Sequence, residues 1–184
     1  LMPLSGSSAV LYGLLAPTIS AYELAHGIVR GTEASIDTAR MFGEFYPNPG
    51  DSMAVVSMPL AMVAEGFGTF LLVMFIFALT EGCNVGRPSD TMAPVFIGLS
   101  VSSIICLIAP LTQAGLNPAR DFGPRLVSWL AGWGEVAFPD ACCGGFFFVY
   151  ILAPILGGAV AAYALTYVIE PLIKQGDGSC ECEK

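Results

Sequence analysis

The chain is dominated by long apolar stretches that are interrupted by short polar segments. Residues 53–80 contain one charged side chain, Glu65, and residues 92–110 and 146–169 contain none. An α-helix needs about 20 apolar residues to cross a bilayer, so each stretch predicts a transmembrane helix. A further apolar stretch, residues 1–16, has the pattern of the end of another span. Together they predict an all-α membrane protein.

Prolines, glycines and polar residues mark the limits of these elements. Pro17 and the polar residues after it are expected to end the first helix, because proline removes a backbone donor and obstructs the preceding turn. Lysines and arginines of the short turn and the tail outnumber those of the long loop by three to two, which by the positive-inside rule places the tail in the cytoplasm. The predicted organisation is the end of a transmembrane helix (1–16), an extracellular loop (17–52), a transmembrane helix (53–80), a cytoplasmic loop (81–91), a transmembrane helix (92–110), a re-entrant loop with a half-helix (111–145), a transmembrane helix (146–170) and a cytoplasmic tail (171–184).

The composition limits the classes of function. Of 184 residues, 55% are hydrophobic and 12% are charged, about half the charged fraction of soluble domains. The net charge is −8 and the seven lysines and arginines are scattered, so nucleic-acid binding is not expected. Cys180 and Cys182 lack the spacing and the neighbours of a zinc site. We expect no metal, no cofactor and no enzymatic activity, since no catalytic pair or phosphate-binding loop is visible.

Residues 111–130, LTQAGLNPARDFGPRLVSWL, place charges and prolines between two apolar spans. Asn117 is a favoured N-cap, and Pro118 fits the first helical position, where its missing N–H has no partner to lose. The helix predicted from Pro118 towards Trp129 has about three turns, too few to cross a membrane. Irregular backbone at membrane depth survives only where protein or water covers it, so we expect a re-entrant half-helix.

The start of this half-helix has the chemistry of a solute site. Free N–H groups and the helix dipole put about half a positive charge there, and Arg120 adds a full charge one turn later. If the Asn117 side-chain oxygen caps the helix, its NH2 group can donate to a solute. Such a site favours neutral hydroxylic solutes and repels cations and protons. For the motif alone, an ordinary helix start is the simpler interpretation, with Arg120 extended to the headgroups and Asp121 paired with Arg125.

Glu65 and an aromatic cluster are the other notable features at membrane depth. A proton relay through Glu65 requires a partner acid or histidine in another span, and residues 1–16, 92–110 and 146–169 contain none. We therefore expect its carboxylate to accept N–H groups from irregular loop backbone. Phe146, Phe147, Phe148 and Tyr150 are expected to form a belt that faces lipid or the membrane interface.

The sequence GLNPARDFGPRL, followed by WLAGWG, resembles the second asparagine–proline–alanine loop of the major intrinsic proteins, in the aquaglyceroporin or glycerol facilitator branch. The likeness extends to AHGIVRGTEAS and FYPNPG in the long loop and to MAPVFIGL, from residue 9 to about residue 167. The resemblance implies an aquaporin-like right-handed bundle of six tilted spans and two half-helices. This chain corresponds to the C-terminal half: the end of span 3, spans 4–6 and the second half-helix. A homotetramer in the cell membrane, surrounded by lipid, is also implied.

The resemblance assigns roles to individual residues. Asn117 corresponds to the solute donor at the membrane midplane, and Arg120 to the arginine of the selectivity filter, where Ile105 and Ala114 hold two further positions. Backbone carbonyls that accept hydrogen bonds along the pore are implied for Gln113, Ala114 and Gly115. Structural support of the pore loop is implied for Glu65, Pro118, Ala119, Asp121 and Arg125.

Departures from the glycerol facilitator pattern leave the preferred solute open. Ala114 stands where an aromatic residue is usual, Ile105 where glycine is usual, and Tyr150 where proline is usual. The implied function is a passive channel for glycerol, water and other small uncharged solutes, including urea and undissociated metalloid acids, that excludes ions and protons. A strict water channel is one alternative, disfavoured by Asp121, Arg125 and the lack of histidine at position 105. A truncated, non-conducting or regulatory subunit is the other, motivated by the missing first half.

Overall fold

The computed structural model describes residues 2–50, 55–82, 84, 86–139 and 143–176. Over these residues it is helical and contains no β-strand, which confirms the all-α class. The main helices are α1 (Met2–His26), α2 (Ile36–Ala39), α3 (Met58–Thr80), α4 (Ala93–Thr112), α5 (Pro118–Ser128) and α6 (Phe147–Ile173), and the last one continues to Gly176.

Three of the helices in the described residues, α3, α4 and α6, are long and apolar enough to cross a membrane. They lie within the three long apolar stretches or extend slightly beyond them. The first begins at Met58, because Ser57 is extended and proline occupies the first turn; residues 51–54 lie outside the described part. The second continues past Pro110 to Thr112.

The first helix is longer than its sequence predicts. It passes through Pro17 and ends at His26, so the predicted end at residue 16 is wrong. Proline removes one hydrogen bond inside a helix, and packing beyond it compensates. Ile19 and Glu23 are 4% and 6% exposed, and Glu23 forms an ion pair of 2.9 Å with Arg30. Residues 17–26 therefore belong to the helix and not to the loop.

Helix α3 packs against both α4 and α6. Its crossing with α6 is close because both helices present glycine: a Cβ atom at Gly157 would overlap the carbonyl group of Gly66. Small residues allow this approach in helical membrane proteins. On the α4 side, Ala64 packs in one apolar cluster with Ile104 and Ile108. Glu65, which lies between Ala64 and Gly66 in the sequence, is therefore enclosed between α4 and α6.

The long loop forms an ordered cap beside α5. Phe42, Phe45 and Trp133 share a buried apolar cluster. The Arg30 guanidinium lies 4.0 Å from the centre of the Trp133 ring, and the indole N–H donates to the Thr38 hydroxyl at 2.9 Å. These contacts hold the loop against the end of α1 and against the segment that follows α5.

The cysteines form no disulfide among the described residues. Cys106 and Cys143 are exposed and belong to no disulfide, and the other four, which include Cys180 and Cys182, lie outside the described part of the chain. Within that part, no group of three or more histidine, cysteine, aspartate or glutamate side chains is arranged to hold a metal ion.

Candidate solute site

Residues 113–117, which join α4 to α5, follow an irregular path. Three residues other than glycine have positive φ angles: 62° at Gln113, 63° at Ala114 and 53° at Leu116. Such angles are uncommon outside glycine and cost of the order of 1–3 kcal/mol each. Gln113 also ends α4 by donating its N–H to the Ala109 carbonyl at 2.9 Å. The 113–117 segment therefore depends on neighbouring side chains to hold it.

The fully buried carboxylate of Glu65 is the main support of this segment. Its Oε1 accepts the Gly115 N–H at 2.9 Å and the Thr112 hydroxyl at 2.6 Å, and its Oε2 accepts the Leu116 N–H at 2.7 Å. One turn later in α3, the Thr69 hydroxyl donates to the Leu116 carbonyl at 2.9 Å. These are the contacts expected of Glu65. None of its hydrogen-bond partners in the described residues is an acid or a histidine, as a proton relay would require.

Tyr150 supports the same segment from α6. It is 1% exposed, and its hydroxyl donates to the Thr112 carbonyl at 2.9 Å. A Cβ atom at Gly115 would lie 2.7 Å from the tyrosine ring, so only glycine fits there. The expectation of a lipid-facing position is therefore wrong for Tyr150, whereas Phe147 and Phe148 are 52% and 37% exposed. In the sequence, the one indication that Tyr150 has a special role is that it replaces the proline that is usual at this position in glycerol facilitators.

Asn117 begins α5 as the sequence predicts. Its side-chain oxygen accepts the N–H groups of Ala119 at 3.0 Å and Arg120 at 3.3 Å, and Pro118 occupies the first turn. Within the described residues the Asn117 NH2 group donates no hydrogen bond, and the residue is exposed. A free donor thus stands beside the positive end of the helix dipole.

Backbone carbonyls precede this donor. In the part of the chain that the structure describes, the carbonyl oxygens of Gln113 and Ala114 accept no hydrogen bond. The Gly115 carbonyl differs from the expected set because it accepts the Asn117 N–H at 2.6 Å, although a carbonyl oxygen retains a second lone pair. Acceptors followed by a donor suit a solute that carries hydroxyl groups.

The three expected filter residues differ in exposure. The Arg120 side chain is 49% exposed, and Ile105 in α4 is 37% exposed. Ala114 is 3% exposed and packs with Ile104 and Ile108. The left-handed backbone at Ala114 places its methyl group against α4. The filter roles of Arg120, Ile105 and Ala114 stay predictions.

Asp121 and Arg125 form an ion pair inside the protein. Nε and Nη2 of Arg125 donate to the two carboxylate oxygens at 2.6 and 2.9 Å, and the two side chains are 1% exposed or less. The guanidinium also donates to the Ala137 carbonyl at 2.6 Å and to the Glu44 carbonyl. The i,i+4 pairing that the sequence left open is therefore present. The same guanidinium also attaches the long loop to α5 through the Glu44 carbonyl.

Glu44, in the long loop, is a site residue that sequence reasoning missed. Its carboxylate pairs with Arg120, and its N–H donates to Asp121 at 2.9 Å. The N–H of Phe45 donates to the side chain of Gln113 at 2.8 Å. Burial raises the pKa of Glu44 above its usual value, and the positive charge of Arg120 opposes this only in part. No local pattern distinguishes Glu44 from other loop acids, because its partner lies 76 residues away.

Comparison with known proteins identifies the family. The sequence profile of the family described as Major intrinsic protein matches residues 12–167. The glycerol uptake facilitator protein of Shigella flexneri is 39% identical over 163 residues, which are 89% of this chain and 56% of that protein. The glycerol uptake facilitator protein of Pseudomonas aeruginosa is 36% identical over 177 residues, 96% of this chain and 61% of that protein. The propanediol uptake facilitator of Citrobacter freundii is 38% identical over 164 residues, 89% of this chain and 58% of that protein.

The fold agrees with these matches. The solved aquaglyceroporin from Plasmodium falciparum superposes with a TM-score of 0.69 at 21% identity, and the match covers 94% of this chain and 62% of that chain. The chain spans between 56% and 61% of the length of the three facilitators named above. With three apolar helices of spanning length and a family profile that covers most of its residues, the chain is an integral membrane protein of the major intrinsic protein family, with relatives in the aquaglyceroporin branch.

Proposed function

We propose that the protein forms a passive channel for glycerol, water and other small uncharged solutes, and that it excludes ions and protons. The observation that carries this proposal is the order of polar groups from Gln113 to Asn117. Two carbonyl oxygens that have no partner among the described residues are followed by an amide group that donates to none of them, at the start of α5. A hydroxylic solute can exchange hydrogen bonds along this series, and none of these groups carries a full charge that would hold it tightly.

The relatives support the same class of solute. Two are named for glycerol uptake and one for propanediol uptake, and all three are 36–39% identical to this chain. Both named solutes are small and neutral and carry more than one hydroxyl group. Glycerol and propanediol are therefore the first solutes to test, followed by urea and undissociated boric or arsenous acid.

Exclusion of cations is proposed to depend on the N-terminus of α5 and on Arg120. A helix N-terminus carries about half a positive charge, and positive groups in a narrow pore raise the barrier for protons and cations. From the family resemblance, we further propose that the protein is a homotetramer in the plasma membrane with one pore in each subunit.

Solute flux into proteoliposomes tests the proposal, with the protein produced from its complete gene. Stopped-flow light scattering should show glycerol and water entering faster than in protein-free vesicles, and planar bilayers should show no ionic current. Asn117→Ala removes the donor and the N-cap and should lower glycerol flux about tenfold, the effect of roughly one hydrogen bond. Asn84→Ala, in the turn between α3 and α4, is the matched control and should conduct normally.

Three outcomes would contradict the proposal, and each has its own meaning. Water flux without glycerol flux would indicate a strict water channel. Fluxes equal to those of protein-free vesicles would indicate a non-conducting subunit. A proton or cation current in the wild-type protein would contradict the exclusion of ions.

A further inference from the structure

A carboxylate lies beside the arginine that was assigned to the selectivity filter. Glu44 forms an ion pair with Arg120, and the two side chains differ in exposure: 12% for the glutamate and 49% for the arginine. The carboxylate is thus largely shielded from solvent, while its partner reaches the surface that also carries Asn117.

The other charges near Glu44 neutralise each other. Asp121 and Arg125 both act electrostatically on the Glu44 carboxylate, but they are joined by two hydrogen bonds within one buried pair. Of the charged groups that face Glu44 in the described residues, only Arg120 is left as a counter-charge for it. The local balance is therefore one negative charge against one positive charge.

The backbone holds Glu44 in this place. Its N–H donates to Asp121 at 2.9 Å, and its carbonyl accepts Nη2 of Arg125. The preceding residue must be glycine, since a Cβ atom at Gly43 would lie 2.7 Å from the Arg125 side chain. The loop thus fixes the backbone at Glu44 on both sides, and the carboxylate is held beside Arg120.

We propose that Glu44 is a further selectivity-determining residue: it keeps Arg120 from attracting anions to the mouth of the channel, and Arg120 in turn keeps the Glu44 carboxylate from attracting cations. This inference rests on the proposed channel function. If Arg120 alone is neutralised, a poorly hydrated carboxylate remains and attracts cations, as rings of acidic side chains do in cation channels. If Glu44 alone is neutralised, the full charge of Arg120 attracts anions. The neutral pair attracts neither.

Ionic leak through three variants tests this balance, in the protein from its complete gene. Arg120→Met, which keeps side-chain length without charge, should raise sodium leak by about tenfold, and adding Glu44→Gln should remove most of that increase. Glu44→Gln alone should raise nitrate leak and leave sodium leak unchanged. Glu33→Gln, a neutral replacement of an exposed acid in the same loop, should match the wild type.

The pH dependence of the leak gives an independent signature. Burial raises the pKa of Glu44 while Arg120 is in place, and loss of that cation raises it further. Sodium leak through Arg120→Met should therefore increase with pH as the carboxylate ionises. The double variant should show no such increase, since Asp121 and Arg125 are present in both proteins.

A measurement without flux separates this inference from the channel function. Phenylglyoxal modifies exposed arginine, and peptide mapping resolves Arg120 from Arg40. Glu44→Gln should speed modification of Arg120 about threefold by removing its charged partner, with Arg40 unchanged. Equal sodium leak with and without Glu44→Gln in the Arg120→Met background, or unchanged labelling of Arg120, would overturn the charge balance. If Glu44→Gln speeds the labelling of Arg120 as expected but the wild-type protein passes no glycerol, only the channel function is contradicted.

Discussion

Two junctions fix the region around the start of α5, and they differ in their chemistry. The inner junction consists of Glu65, Thr69, Thr112 and Tyr150, which hold the 113–117 segment. A single carboxylate there accepts two backbone N–H groups and one hydroxyl. The outer junction consists of Glu44, Arg120, Asp121 and Arg125. It joins the long loop to α5 through the ion pair of Glu44 with Arg120 and through backbone hydrogen bonds of Glu44 to Asp121 and Arg125, which form a second ion pair within α5.

The two junctions stabilise different features of the structure. The inner one maintains strained φ angles within one short segment, and its donors are neutral groups. The outer one connects chain segments that are 76 and 81 residues apart in sequence, and its members are charged. An unpaired charge in a poorly hydrated place costs more free energy than an unpaired dipole. Single substitutions should therefore be most damaging at the outer junction, while removal of a complete pair should be tolerated there.

Arg125→Met should produce the largest effect on stability. It leaves the Asp121 carboxylate buried without its cation, which typically costs about 3–5 kcal/mol in free energy of unfolding. The double variant Asp121→Asn with Arg125→Met should recover a large part of this loss, because no unpaired charge remains. Unfolding by SDS in mixed micelles measures both. Equal destabilisation of the single and double variants would show that the lost hydrogen bonds, and not the charge, dominate.

Glu65→Gln tests the inner junction and should have the second largest effect. It replaces one acceptor oxygen by an NH2 group that faces an N–H or O–H donor, and a buried unsatisfied group costs about 1–3 kcal/mol. Glycerol flux should fall together with the free energy of unfolding, because the 113–117 carbonyls lose their orientation. Glu135→Gln, an exposed acid after α5, is the control. A stable Glu65→Gln protein with normal flux would show that the strained segment holds its shape without the carboxylate.

The inner junction was more accessible to sequence reasoning than the outer one. Glu65 is the one charged residue of its span, and a buried acid without an acidic or histidine partner has few roles other than accepting hydrogen bonds. The Asn117 cap is a local feature that two adjacent residue types define. Burial of the Ala114 methyl group was not predictable, because it depends on a positive φ angle that an alanine rarely adopts.

The outer junction depends on tertiary contacts that leave no local pattern. Glu44 resembles any loop acid until the loop folds back onto α5. The continuation of α1 beyond Pro17 has the same origin, since the partly buried pair of Glu23 and Arg30 forms only when the loop is in place. The i,i+4 pair of Asp121 and Arg125 is the exception, because helical spacing alone brings the two residues together.

Tyr150→Phe should produce a smaller effect than either of the first two changes. The variant keeps the ring that covers Gly115 and removes only the hydroxyl that donates to the Thr112 carbonyl. Loss of one neutral hydrogen bond costs about 1 kcal/mol, measured by the same unfolding titration. Tyr163→Phe, at an exposed position of α6, should be neutral. A loss as large as that of Glu65→Gln would mean that the hydroxyl supports the segment as strongly as the carboxylate does.

The pH dependence of stability should give the smallest effect, and its sign distinguishes burial from pairing at the outer junction. Burial raises the pKa of Glu44 in the folded protein above 4.5, the usual value for glutamate, so the folded state binds this proton more tightly than the unfolded state does. The resulting stabilisation is complete below the unfolded pKa and is lost as pH rises through the folded pKa. The difference in melting temperature between wild type and Glu44→Gln should therefore shift against the wild type between pH 4.5 and neutral pH. A shift in the opposite direction would mean that the attraction of Arg120 outweighs the burial of the Glu44 carboxylate, and that the pair itself stabilises the loop.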